Sequence, residues 1–294
     1  KYLGMNISFG SDGSITLSQK RHIEELLAKH SISPNPKVKT PLSPNVKLDA
    51  EARPVNVTQY KSMVGACLYL AVTSRPDIIY AACVLARYGI KPNEIHMKAV
   101  ANLIKYAYNT RYFKIKYVCD DKVDSSITVH AKDLALEAYG DASFGDNKSG
   151  KSTTGYVIFM NGGPVMWKST LQRVVATSSA EAEYYALSEC VKSVIFAREF
   201  LNELGLRVKK PTTLYTDSAS ATFIALNPGF TAKSRSIRTS YHNVRTSLRL
   251  KEVLLVKVAS EYNTADLMTK PLSRRHLWYH CKKLFETKLP AEAF

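Results

Sequence analysis

The hydrophobic pattern changes period along the chain, and the changes divide it. Residues Tyr2 to Ser18 alternate apolar and polar about S-D-G-S, which predicts a β-hairpin turning at Asp12-Gly13. Ser18 is then placed to cap a helix whose apolar side is Ile23, Leu26, Leu27 and His30, stopped at Ser33-Pro34-Asn35-Pro36. From Pro34 to Val57 prolines recur among Asn, Ser and Lys, the pattern of a linker or extended surface strap. Tyr60 to Tyr108 reads as three apolar-rich helices parted at Thr73 to Asp77 and Gly89 to Asn93. Pro76 and Pro92 stand where a missing N–H does no harm. R-Y-F-K-I-K-Y-V and S-S-I-T-V-H then alternate as strands.

The second half has a different rhythm. Leu136 to Ala142 predicts a strand ending on Asp141, and G-Y-V-I-F-M-N-G-G-P-V-M-W-K-S predicts two strands joined at Asn161-Gly162-Gly163. A long helix follows from Ser178 to Gly205, then a strand ending on Asp217 with a helix directly after it. Thr239 to Lys251 reads as helical, V-L-L-V-K-V-A as a strand, N-T-A-D-L-M-T-K-P as the start of a helix carrying Asp266, and S-R-R-H-L-W-Y-H-C-K-K-L-F as a closing helix. The order is mixed α/β. The division falls between residues 1–134 and 135–294, which suits a chain of 294 residues.

The long helix carries one misplaced charge. At about 100° per residue, Glu183, Leu187, Cys190, Val194, Ala197 and Leu201 fall within about 40° of one line, the buried face. A carboxylate there costs free energy unless a positive group or a hydrogen bond meets it. Glu181 falls on the opposite side with Ser188, Lys192 and Glu199, and completes S-x-x-E with Ser178, a capping box. Glu181 therefore reads as a cap and Glu183 as a candidate metal ligand.

Asp141 and Asp217 sit where strands stop, Glu183 on a helix face that must pack on that sheet, and Asp266 near the start of a late helix. Four acids at one end of a sheet repel one another and persist around cations. All-oxygen ligands suit Mg²⁺ or Mn²⁺, and two such ions can drive an in-line phosphodiester displacement without a covalent nucleophile. Taken singly, Asp141 could open a turn, Asp217 could cap the next helix and Asp266 could be a first-turn acid. His242 reads equally as a general acid or proton shuttle and as a packed helix histidine.

Lys plus Arg number 41 against 25 Asp plus Glu, a net charge of +16 that favours a polyanionic partner. From Ser218 to Lys251 no acid occurs, while Lys233, Arg235, Arg238, Arg245, Arg249 and Lys251 accumulate, a phosphate-tracking strip or else a solvated helix face. The five cysteines are widely spaced without a disulfide or zinc pattern, as reduced core residues of an intracellular protein are. No apolar run reaches the ~18 residues of a membrane span. Strand-like alternation from Lys1, without an initiator Met, suggests a piece of a longer protein.

Y-G-D-A-S-F, K-S-T-T-G-Y-V-I-F-M-N-G-G-P-V-M-W-K-S, S-S-A-E-A-E-Y-Y-A-L-S-E, L-Y-T-D-S-A-S-A and N-T-A-D-L-M-T-K-P-L occur in this order. Together they closely resemble the ribonuclease H (RNase H) domain of copia-type long-terminal-repeat retrotransposon polyproteins. K-Y-L-G-M-N-I resembles the last hairpin of the reverse transcriptase palm in the same polyproteins. Y-K-S-M-V-G-A-C-L-Y-L with R-P-D-I-I-Y-A resembles the thumb and connection. The resemblance implies an RNase H-like mixed sheet flanked by helices, preceded by a mainly helical thumb/connection segment. It implies metal-binding acids at Asp141, Glu183, Asp217 and Asp266, and Mg²⁺-dependent endonucleolytic cleavage of RNA in RNA–DNA hybrids. It also implies partnership with the upstream palm and fingers, and a location in cytoplasmic virus-like particles or the nucleus. Two departures matter. The chain has R-S-I-R-T-S-Y-H where such proteins commonly read K-H-I-D-x-x-Y-H, so Ser236 and Arg238 replace a His and an Asp. The Y-x-D-D turn of the polymerase is absent, so the chain by itself is not expected to polymerise DNA. The rival readings are a non-catalytic remnant or recruited copy that grips hybrid or RNA, and a DNA-strand transferase of the same fold family.

Overall fold

The computed structural model describes residues 2–118, 134–227, 237 and 241–286. In chain order the elements of the first half are β1 (Asn6–Phe9), β2 (Ile15–Ser18), α1 (Lys20–Lys29), α2 (Val57–Thr73), a 3₁₀ turn (Pro76–Ile78), α3 (Ile79–Ala86), α4 (Glu94–Asn109) and β3 (Ile115–Tyr117). The rest are β4 (Leu136–Ser143), β5 (Thr153–Met160), β6 (Gly163–Leu171), α5 (Ser179–Glu203), β7 (Thr212–Thr216) and α6 (Ala219–Leu226). After them come α7 (Asn243–Arg249), β8 (Val253–Lys257), 3₁₀ turns at Ser260–Tyr262 and Thr264–Met268, and α8 (Arg274–Leu284). The strand expected at S-S-I-T-V-H lies outside the described residues.

Contacts divide the chain into two compact units, Lys1–Tyr117 with Lys270–Phe294, and Val118–Thr269. The closing helix α8 thus groups with the first half, unlike the expected division at 134/135. The reason is apolar. Leu277, Cys281 and Leu284 are buried, Phe113 meets Trp278 edge-on at 5.5 Å, and its ring lies 4.8 Å from that of Phe285. A helix goes where its buried stripe finds a partner, whatever its place in the sequence.

In this first unit the hairpin forms as expected, β1 pairing antiparallel with β2 and β2 with β3. Asp12 Oδ1 accepts from the backbone N–H and hydroxyl of Ser14 at 3.0 and 2.6 Å, closing the turn. The cap of α1 differs from the expected Ser18. Gln19 holds the N-cap position without a side-chain cap bond, and Ser18 Oγ accepts from Lys20 N at 3.3 Å. Gln19 is drawn inward instead, its Oε1 accepting from the hydroxyls of Thr73 and Ser74. Ile23, Leu26 and Leu27 are buried as expected, while His30 lies just beyond the helix and is half-buried.

The R-P-D segment builds a polar core. Arg75, 1 % exposed, donates to both carboxylate oxygens of Asp77 at 2.9 and 2.7 Å and to Thr110 Oγ1 at 2.6 Å. Tyr106 donates its hydroxyl to Asp77 Oδ2 at 2.9 Å. A buried ion pair satisfied on this many sides is costly to break from one end, about 3–5 kcal/mol. The strap of residues 34–56 has neither helix nor strand and is tied down by side chains: Asn109 Nδ2 donates to the carbonyls of Asn35 and Val38, and His96 Nε2 meets the Leu48 carbonyl at 2.8 Å.

The second unit is a five-stranded sheet in the order β6-β5-β4-β7-β8. β6, β5 and β4 are antiparallel neighbours, while β7 is parallel to both β4 and β8. Asn161 and Gly162 both take positive φ, 50° and 78°, the geometry of a two-residue type I′ hairpin turn, for which Asn-Gly is the strongest short signal. Helix α5 covers this sheet with Leu187, Cys190, Val194, Ala197 and Leu201 in a core shared with Ala138, Ile158 and Leu214. Of the expected helix Thr239 to Lys251, residues 239 and 240 lie outside the described residues and α7 spans Asn243–Arg249 of the rest; the Asp266 segment is a 3₁₀ turn rather than a helix start. Among the described residues no helix is long and apolar enough to cross a membrane.

The α8 packing has a pH consequence. His280, 1 % exposed, is pushed down to about 4 by burial, then by Lys283, His276 and Lys270. Its folded value lies below its unfolded one, so the unfolded chain binds the proton first and stability falls as pH drops from about 6.5 to about 4, levelling below that. Urea unfolding at pH 7.0 and 4.5 should show that loss, about 1.4 kcal/mol per pH unit at most, and His280→Gln should flatten it.

Candidate metal centre

Three elements distant in sequence deliver three carboxylates to one place. Strand β4 brings Asp141, which pairs with Gly155 of β5; the strand runs on to Ser143 rather than stopping at the acid. Asp217 directly follows the last residue of β7, and the cap of α6 is Ser218, whose Oγ accepts from Ala221 N at 3.1 Å. Glu183 lies in the first turns of α5, where its Oε2 accepts from Ala142 N at 3.1 Å. Carboxylate oxygens of Asp141, Glu183 and Asp217 all lie within 4.8 Å of one another. Like charges this close repel unless cations or donors meet them, and an all-oxygen donor set fits a hard divalent ion such as Mg²⁺ or Mn²⁺.

Asp266 is not in that group of three. It is 7 % exposed on the Thr264–Met268 turn. What lets this turn approach the sheet is Gly155: a Cβ there would stand 2.6 Å from Met268 Cβ and from Thr269 Cγ2. Thr269 donates its hydroxyl to Asp141 Oδ2 and approaches the Asp266 carbonyl at 3.3 Å. Gly155, Ser260, Asn263 and Thr269 all shape the site without having been singled out from the sequence. Only Asn263 carried a readable signal, as the N-cap of N-T-A-D, and its side chain does accept from Ala265 N at 3.3 Å.

The two glutamates of α5 exchange their expected surroundings. Glu181, placed on the solvent side by the helical wheel, is 2 % exposed, and Glu183 is half-buried. The first turns of α5 lie under the segment 172–177, so the helix is enclosed there on sides that a one-face reading leaves open. Gln172 Nε2 donates to the Ala182 carbonyl at 2.9 Å. Glu181 Oε2 accepts from Thr177 N at 2.7 Å and Thr177 Oγ1 at 2.5 Å, and its Oε1 accepts from the Tyr185 hydroxyl. Ser178 caps α5 as expected by accepting from Glu181 N at 3.2 Å, but the returning carboxylate bonds Thr177 rather than Ser178.

His242 stands at the N-cap position of α7, its Nδ1 3.0 Å from the Tyr184 hydroxyl. Burial first, then Arg245, holds it below the ordinary histidine value. Of the basic strip, Arg245 bonds backbone: it donates to the Ile224 carbonyl at 3.2 and 2.9 Å and to Asn227 O at 3.1 Å, closing the end of α6. Arg249 and Lys251 are exposed. Lys233, Arg235 and Arg238 lie outside the described residues, as does Ser236.

A sheet ordered β6-β5-β4-β7-β8 with its last two strands parallel to β4, and acids supplied by β4, α5 and the end of β7, is an RNase H-like fold. No family model matches the chain. It is 32 % identical over 277 residues to the retrovirus-related Pol polyprotein from transposon RE1 of Arabidopsis thaliana, covering 93 % of the chain and 18 % of that protein. It is also 32 % identical over 277 residues to the Pol polyprotein from transposon TNT 1-94 of Nicotiana tabacum, covering 91 % of the chain and 20 % of that protein. The crystal structure of LC11-RNase H1 in complex with RNA/DNA hybrid is 18 % identical, with a TM-score of 0.35 over 46 % of this chain and 93 % of its own. The chain belongs to the copia-type retrotransposon Pol polyproteins, and spans about a fifth of the length of these two relatives.

The different surroundings of the two glutamates are separable by stability. Glu181→Gln places an amide against donors already committed to a carboxylate and should cost about 1–3 kcal/mol in chemical unfolding. Glu183→Gln can keep the bond from Ala142 N while removing one of three repelling charges, so with EDTA present its unfolding midpoint should equal or exceed that of the unsubstituted chain.

Proposed function

We propose that the chain is the RNase H segment of a retrotransposon polyprotein, cutting the RNA strand of RNA–DNA hybrids endonucleolytically during reverse transcription. The observation that carries the reading is the meeting of Asp141, Glu183 and Asp217 within 4.8 Å, on a fold whose relatives are Pol polyproteins. These three, with Asp266 as the fourth acid that the family resemblance assigns, would hold two Mg²⁺ or Mn²⁺ ions. Such ions, when bound, activate water near neutral pH and neutralise charge on a departing oxygen. The chain's own residues hold the acids in place: Ala142 N–H fixes the Glu183 carboxylate, and the Thr269 hydroxyl holds that of Asp141.

His242 is the proposed proton shuttle. Burial, then Arg245, lowers its value and favours the neutral ring, the form able to accept a proton, while the Tyr184 hydroxyl 3.0 Å from Nδ1 orients it. Arg249 and Lys251, with Lys233, Arg235 and Arg238, would follow backbone phosphates, whereas Arg245 is assigned to the end of α6 by its carbonyl contacts. The upstream palm and fingers of the same polyprotein are the proposed protein partner, in cytoplasmic virus-like particles.

The test is cleavage of an end-labelled RNA–DNA hybrid with Mg²⁺ by the full chain and by Asp217→Asn. Cleavage by the former, reduced at least about a hundredfold in the latter and absent on single-stranded RNA, is the expected result. Equal cutting by both, or cutting by neither, sinks the catalytic reading, and binding without cutting would select the non-catalytic alternative.

A further inference from the structure

The segment 260–269 carries more of the site than Asp266. Asn263 is fully buried, and both hydrogens of its amide are directed at the acids' surroundings. Nδ2 donates to the Gly140 carbonyl at 3.1 Å, on the residue just before Asp141, and to Asp217 Oδ1 at 3.3 Å. Its Oδ1 accepts from Ala265 N at 3.3 Å and so caps the turn that carries Asp266. One side chain therefore touches the backbone leading to Asp141, the carboxylate of Asp217 and the turn of Asp266. Ser260 completes the hold on Asp217, donating its hydroxyl to Oδ2 at 2.5 Å.

The geometry points to Asn263, assisted by Ser260, as the positioning residue that sets the orientation of Asp217 and thereby the affinity of the site for its divalent cation. The chemistry of the donors is the reason. Asp217 has both oxygens engaged by an amide and a hydroxyl, which restrict its rotamers while leaving its negative charge intact. A lysine or arginine in the same place would restrict it equally but compete with the cation for that charge. The amide is also specific: an aspartate at 263 would turn acceptors toward Gly140 O and Asp217, and an alanine would leave a buried carbonyl and a carboxylate oxygen short of a donor. These are positioning residues, since neither is in the group of carboxylates that would meet the ion.

The inference rests on the reading of this site as a metal-dependent nuclease centre, and its test separates the two. Mn²⁺ alone is titrated into the full chain without hybrid and bound ion is followed by electron paramagnetic resonance, for the unsubstituted chain, Asn263→Ala, Ser260→Ala and Glu181→Gln. Cleavage is then measured against Mg²⁺ concentration. Asn263→Ala and Ser260→Ala should each weaken Mn²⁺ binding about three- to tenfold, the range set by having to immobilise one side chain, Asp217, on binding. Both should raise the Mg²⁺ requirement by a similar factor, with the KM for hybrid at saturating Mg²⁺ unchanged. Glu181→Gln should lower the unfolding midpoint with Mn²⁺ affinity intact. If Asn263→Ala does not fold, Ser260→Ala decides, because Ser260 is exposed and its hydroxyl is the only group removed. Unaltered Mn²⁺ affinity in the folded variants, whatever their stability, overturns the inference even where the unsubstituted chain cuts hybrid. Weakened Mn²⁺ binding in a chain that cuts nothing supports the positioning role and rejects the nuclease reading.

Discussion

Three carboxylates held within 4.8 Å is the constraint to which the rest of the second unit answers. Left to themselves, Asp141, Glu183 and Asp217 would move apart, and each is held by contacts of its own. Asp141 lies inside a strand paired on one side with β5, next to residues that pair with β7 on the other. Glu183 is anchored by the core beneath α5 and by Ala142 N–H. Asp217 is gripped at both oxygens by Ser260 and Asn263. The stability of the sheet and helix core thus offsets a local electrostatic cost, the usual relation between a scaffold and a preorganised site.

The segment that closes the site is irregular, and irregularity is its use. A continuous helix through residues 260–269 could not bring the side chains of Ser260, Asn263 and Thr269 to two different strands at once. Two short 3₁₀ turns can, provided the sheet yields room, and Gly155 opposite Asp141 is where it does. The first unit has its own organising polar contact, the buried Arg75–Asp77 pair with Tyr106 and Thr110, set among the aromatic rings of Phe113 and Phe285. The Arg75–Asp77 pair in the first unit and the side chains of Glu181 and Asn263 in the second are buried with hydrogen-bond partners, which offsets the cost of their desolvation.

Much of this was legible in the residues. Alternation located the hairpin of β1 and β2, and the Asn161-Gly162 turn; helical period located α2, α4 and α5. Strand-end, helix-face and helix-start arguments selected Asp141, Glu183, Asp217 and Asp266 from the residues alone, because a charge at the edge of an apolar run is locally anomalous, and the first three meet within 4.8 Å while Asp266 stands outside that group. Reading α5 as one buried face and one open face placed Glu181 in solvent. The enclosure of its first turns by residues 172–177 is a long-range fact that periodicity cannot contain. The Arg245 contacts are similar: a basic residue in an acid-free stretch reads as a phosphate ligand until the end of α6 is seen to present it with carbonyls.

The sequence by itself determined most of the strands and helices, the mixed α/β class, the family and four candidate acids, of which the structure brings Asp141, Glu183 and Asp217 together. Those follow from the period of apolar residues and from ordered motifs, which are local properties of a chain. Only the tertiary structure decided that α8 joins the first unit, that Asp266 rides a 3₁₀ turn outside the group of three, and that Asn263 spans the strands bearing Asp141 and Asp217. Each of these depends on which surfaces meet across more than a hundred residues or across a sheet, and burial and hydrogen bonding at such distances have no signature in the spacing of neighbours along the chain.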